Sequence, residues 1–131
     1  MPINVAWDNA EKTVILLSAQ ERWNWREFAD AREETKALLA DIPHSVGVIV
    51  YIPASVELPK NILEGMREHA RFRNPLVKIV VLTSDSSVIQ TMYGVFRQMY
   101  PRITEAFVFT STLARARQIV AEALGQPPSE E

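Results

Sequence analysis

At 131 residues, with 47% apolar and 23% charged side chains, the chain has the bulk for one domain and no room for a second core. A formal net charge of −2 predicts neither a nucleic-acid binder nor a polyanionic tail, and the absence of cysteine excludes disulfides and thiolate chemistry. No apolar run approaches the roughly 20 residues of a membrane span, and the opening MPINVAWDN lacks the features of a secretory signal, so a cytoplasmic location is expected.

Ile3, Val5 and Trp7 alternate with Asn4 and Ala6, the period-2 pattern of a half-buried strand. Turn residues at 8–11 separate it from a second apolar run at 13–19, and the two predict an antiparallel hairpin. Asn24 followed three residues later by Glu27 is capping-box chemistry. It opens a helix to about Ala40 whose inner stripe is Trp25, Phe28, Ala29, Arg32, Thr35 and Leu39. Pro43 lies in the loop before the next strand, 46–52 (VGVIVYI).

After the loop at 53–58, Pro59 suits the first turn of a second helix. Ile62, Leu63, Met66 and Ala70 are expected to face inward there, with Lys60, Glu64, Arg67, Glu68 and Arg71 on the solvated side. Asn74 and Pro75 end that helix. The strand at 77–82 (VKIVVL) runs into the cap-rich stretch 83–87, which opens a third helix at 87–100 stopped by Pro101. A strand at 105–109 follows. Ser111 then caps a last helix that buries Leu113, Ala116, Val120, Ala123 and Leu124 and ends at Gly125. The tail 126–131, with two prolines and two glutamates, is expected to be disordered.

Strands apolar on both faces belong in a parallel sheet covered by helices on each side. The order β-β-α-β-α-β-α-β-α therefore predicts an α/β domain over 1–125, a mixed five-stranded sheet flanked by four helices with the first hairpin antiparallel.

Catalytic chemistry is missing from this pattern. His44 sits in a polar loop and His69 near a helix end, and neither belongs to a motif. No metal-binding or nucleotide-binding spacing occurs, so no metal or cofactor is expected. The hydroxyls of Ser84, Ser86 and Ser87 lie where an anion would sit at a helix N-terminus, although Ser84, Asp85 or Ser86 serving as a simple cap explains the same composition. Trp23, Trp25 and Phe28 fit a core cluster better than a base-stacking platform, since no basic groove accompanies them. The third helix is apolar over most of its circumference. Met92, Tyr93, Phe96, Met99 and Tyr100 on it call for cover beyond one sheet face: a neighbouring helix, a second subunit or an apolar ligand.

Several strings carry a family resemblance: Trp23-x-Trp25-x-x-Phe28 opening the first helix, VIV at 48–50, Phe96-x-x-x-Tyr100-Pro101 and Thr112-Leu113-x-x-Ala116-Arg117. With the element order they resemble the STAS superfamily, and within it the small stand-alone SpoIIAA-like proteins. The phospho-regulated antagonists of that superfamily carry a serine acceptor at the start of the helix after the central strand. The matching stretch here is Pro59-Lys60-Asn61-Ile62, without a hydroxyl at Lys60 or Asn61, and Ser55 lies earlier in the loop. The resemblance thus implies a non-catalytic interaction or regulatory module with a protein partner or a homodimer, not the phospho-switch. Relatives of this fold are also grouped with CRAL-TRIO lipid-transfer proteins, which implies the alternative of an apolar or amphipathic ligand beneath the third helix, in a cavity lined by Met92, Phe96 and Met99.

Overall fold

All five strands and all four helices expected from the pattern form, and in the expected order. The structure, a computed structural model, describes residues 2–70 and 74–125. The strands are β1 (Ile3–Trp7), β2 (Val14–Ala19), β3 (Val46–Tyr51), β4 (Val77–Thr83) and β5 (Phe107–Thr110). The helices are α1 (Trp25–Leu39), α2 (Ile62–His69), α3 (Ser87–Met99) and α4 (Leu113–Leu124). The sheet order is β1-β2-β3-β4-β5, with β1 antiparallel to β2 and every other pair parallel.

That sequential order has a geometric consequence. Each crossover steps the same way across the sheet, so right-handed connections put α1, α2 and α3 on one face and leave the other to α4. The strand alternation serves both faces. Ile15, Leu17 and Val48 join the core on the three-helix side with Ala31, Leu39 and Ile89. Val14, Ile49 and Val81 turn the other way and pack against Ala116 and Val120 of α4. Gly47 is what lets α4 come so near: a methyl group on it would collide with the Val120 side chain. The same face is tied at its edge by Asp8, beside the β1–β2 turn. Its carboxylate accepts two hydrogen bonds from Arg117 of α4 at 2.8 and 2.9 Å.

Helix boundaries follow their caps. The Asn24 side chain accepts from the Glu27 N–H, and Glu27 accepts in return from the Asn24 N–H, which completes the expected capping box. Gly125, in the left-handed region at φ 68°, closes α4. Other boundaries differ from the sequence reading. α2 begins at Ile62 and not at Pro59, because Asn61 adopts left-handed backbone (φ 56°, ψ 47°) and breaks any helix running into it. Lys60 therefore precedes the helix. The helix ends at His69, well short of Asn74, and the expected outward Arg71 lies outside the described residues.

β5 starts at Phe107 because Ile103–Ala106 winds into a 3-10 turn. The Thr104 hydroxyl holds that turn by donating to the Tyr100 and Pro101 carbonyls. Thr112, not Ser111, caps α4 by accepting from the Arg115 N–H. On α1 the expected Thr35 and Leu39 are buried and Trp25 and Phe28 pack against the core, while Ala31, outside the expected stripe, is buried where Ala29 is only half-buried. The tail at 126–131 lies outside the described residues. Among the described residues no helix is long and apolar enough to cross a membrane.

Candidate functional site

α2 is a short helix with one small buried residue, Gly65. Such a helix spans its gap without filling it. Beneath α2, between α1, α3 and strands β3 and β4, lies a cavity of about 410 Å³. Gaps left by ordinary packing rarely exceed a water molecule, whereas ligand sites run from about 300 to 1,000 Å³.

Its walls are mostly apolar: Val48, Val50 and Val80 from the sheet, Met66 from α2, Ile89 and Phe96 from α3. One wall is aromatic. Trp23 and Trp25 meet edge to face at 5.1 Å, and Phe28 lies 5.7 and 5.6 Å from the two indoles. α2 is seated on this cluster. Gly65 lies against the Trp25 indole, where any side chain would overlap the ring. One turn later, on the same side of the helix, the His69 imidazole stacks on Trp25 at 5.0 Å and meets the Phe28 edge at 5.2 Å. The Trp23 and Trp25 indole N–H groups are buried without a hydrogen-bond partner among the described residues.

His69, near a helix end as read from the sequence, is thus half-buried against this aromatic wall. Arg32 of α1 donates to its Nδ1. A guanidinium has no acceptor, so the imidazole must accept there and carry its proton on Nε2. Burial holds the imidazole below its ordinary pKa, the Arg32 charge adds to the effect, and Glu68 opposes it. The folded state thus binds a proton less readily than the unfolded chain. Stability is fully present above about pH 6.5 and falls as the pH drops from there through the lowered folded value. Urea midpoints measured between pH 7.5 and 5 are expected to fall more for the native chain than for His69→Gln; parallel curves would place the titration elsewhere.

The other residues singled out from sequence separate into two groups. Met92, Tyr93 and Phe96 line the cavity, with Phe96 fully covered. The Tyr93 ring stacks on Phe109 at 5.3 Å, its hydroxyl donates to the Phe107 carbonyl, and burial raises its pKa against the pull of Arg97. Tyr100 packs on Phe96 at 5.2 Å. Met99 is not a lining residue: it is the last residue of α3 and its side chain is exposed.

In the stretch 83–87 the Ser84 and Ser86 hydroxyls serve the chain's own backbone, whereas the Thr83 hydroxyl is buried without a hydrogen-bond partner among the described residues. Ser84 is buried and accepts from the Ser86 N–H, while Ser86 caps α3 by accepting from the Ile89 N–H. Ser87 is exposed, and its carbonyl takes the Thr91 hydroxyl. Asp85 caps nothing in α3; its Oδ1 accepts from the Ala54 N–H at 2.8 Å and joins the two loops at the carboxyl ends of β3 and β4. Ser55, Lys60 and Asn61 are exposed and lie outside the cavity.

Of the charged lining the sequence reading placed only Arg32 inward. Glu33 and Lys36 of α1 and Lys78 of β4 border the cavity with it. One signal for it was legible, a lone lysine inside the β-branched run VKIVVL. Among the described residues no group of three or more histidines, aspartates or glutamates is placed to hold a metal.

No protein-family model matches the chain, and no curated protein matches it either. Among solved structures, it is similar to an uncharacterised protein of the DUF3478 family from Shewanella loihica PV-4, described as having a SpoIIAA-like fold. The two superpose with a TM-score of 0.57 at 12% sequence identity, over 90% of this chain and 93% of that one. The chain thus has a SpoIIAA-like fold, a mixed five-stranded sheet with four helices.

Proposed function

We propose that this protein is a non-catalytic binding module that holds a small apolar or amphipathic ligand in the cavity beneath α2. The cavity itself is the observation that carries the reading. Its volume of about 410 Å³ holds about 14 groups the size of a water molecule, at roughly 30 Å³ each. Its largely aliphatic and aromatic lining suits an apolar body of that size. Among the described lining residues there is no serine, and the chain has no cysteine, which supports binding without turnover.

Calorimetric titration of the whole chain with 1-decanol tests the proposal. The native protein is expected to bind it. Met66→Trp, which puts an indole into the space, is expected to weaken binding at least about tenfold while leaving the unfolding midpoint unchanged or higher. Absence of binding by the native chain at the solubility limit of the alcohol would overturn the reading.

A second reading, a protein-interaction module, is favoured by one feature of α3. Val88, Val95 and Met99 are 59%, 41% and 53% exposed. With Met92 they follow a 4-3-4 spacing that forms a seam along the helix. A chain that refuses decanol yet self-associates, and is made monomeric by Val95→Lys, would favour this second reading.

A further inference from the structure

The strand register at the mouth of the cavity is irregular. Val46 of β3 pairs with Val77, but the next residue, Gly47, pairs with Ile79, so Lys78 is an extra residue in β4. A bulge of this kind interrupts the alternation of faces and re-aims the side chains around it. In regular alternation Val77 and Lys78 would point to opposite faces. Here Val77 packs into the three-helix core and Lys78 also borders the cavity, exposed at its rim.

Lys78 has company there. α1 runs against the direction of the parallel strands, so its C-terminal half lies toward the end of the sheet at which those strands begin. From that half Arg32 and Lys36, one turn apart, border the same cavity. Among the described lining residues these three cations face one carboxylate, Glu33, a local balance of +2 with His69 neutral, in a chain whose net charge is −2. The ion pairs among the described residues are Arg22 with Glu57 and Arg117 with Asp8, and neither involves Lys36 or Lys78. Away from this rim the walls are apolar, with Ile89, Met92 and Phe96 from α3.

We infer that the ligand is an anionic amphiphile, its apolar body under α2 and α3 and its single anionic head, a carboxylate or a phosphate monoester, at the rim between Lys78 and Lys36. This deepens the ligand-binding reading above and rests on it. An apolar body alone is served by the walls; Lys78, on the face of β4 that Val80 and Leu82 share, adds a cation at the cavity border that a negative head would engage. Arg32 adds its positive field to the same end while holding His69.

The test compares heads on one chain length. The native protein is titrated calorimetrically with decanoate, decyl phosphate, 1-decanol and decyltrimethylammonium, each below its micelle concentration, and again as Lys36→Gln/Lys78→Gln. At low salt at least one anion is expected to bind about tenfold more tightly than decanol, and decyltrimethylammonium more weakly than decanol. The double variant is expected to remove the anion's advantage and leave decanol binding unchanged. Added salt is expected to shrink the advantage, as screening at a solvent-open rim requires. A preference for decanoate over decyl phosphate assigns a carboxylate head, and the reverse a phosphate. Equal binding of decanol and both anions, or a double variant that loses decanol as much as the anions, overturns the head-group assignment and leaves the cavity reading standing. Failure of all four probes overturns both.

Discussion

Gly47→Ala is expected to destabilise the fold by about 1–3 kcal/mol, a large effect for one added methyl group. Gly47 lies in the central strand β3, and its missing side chain is the space occupied by Val120 of α4. Val120 is fully buried and β-branched, so it has little freedom to swing aside. Among the described residues α4 is the only helix on its face of the sheet, so its displacement disturbs the packing of Val14, Ile49 and Val81 together. The test is a double-mutant cycle followed by urea unfolding. Val120→Ala alone should cost about 2 kcal/mol through the cavity it leaves. The combined Gly47→Ala/Val120→Ala chain should be more stable than the sum of the two losses by at least about 1 kcal/mol, because each change supplies the space the other needs. Strict additivity would show that α4 does not rest on Gly47.

Asp8→Ala is expected to cost about 3 kcal/mol, measured the same way. The Asp8 side chain is only 6% exposed and that of Arg117 20%, so most of the hydration of both charges is already lost in the fold. The two parallel hydrogen bonds compensate for that loss. Removing the carboxylate leaves the guanidinium covered and without this partner. It also unfastens the β1–β2 turn from α4, and the hydrogen bond from the Asp8 N–H to the Val14 carbonyl does not replace that link. Asp8→Leu combined with Arg117→Met should recover most of the loss, since a buried ion pair exchanged for apolar groups of similar size is often neutral. Arg22 and Glu57 provide the internal control. Their side chains are 72% and 74% exposed and 3.9 Å apart, and breaking that pair should change stability by less than about 0.5 kcal/mol. An Asp8→Ala loss no larger than the control would mean that the Asp8–Arg117 contact behaves as a surface pair.

Both predictions concern the face opposite the candidate site, which separates stability from function in any test. A chain loosened at α4 by Gly47→Ala should still bind decanol with near-native affinity wherever it remains folded, because no residue of α4 lines the cavity.

What the sequence determined by itself is the part of this protein governed by neighbours in the chain. The Asn24 and Glu27 box, the strand alternation that sorts Val14 from Ile15 and Val48 from Ile49, and the Gly125 stop all rest on contacts or conformations within a few residues. The parallel sheet follows from strands apolar on both faces. Local signals misled where two were available for one boundary: Pro59 announced a helix that the left-handed Asn61 delayed, and Ser111 stood beside the true cap, Thr112. The site belongs to the other class. Arg32 and His69 are separated by 37 residues and Asp8 and Arg117 by 109, and no periodicity links either pair. The bulge at Lys78 exists only in the pairing of two strands, and the cavity only in the failure of α2 to fill the space between its neighbours. A void is a shortfall in packing among distant segments. Each segment here carries an ordinary apolar face, so only the tertiary structure decides where those faces do not meet.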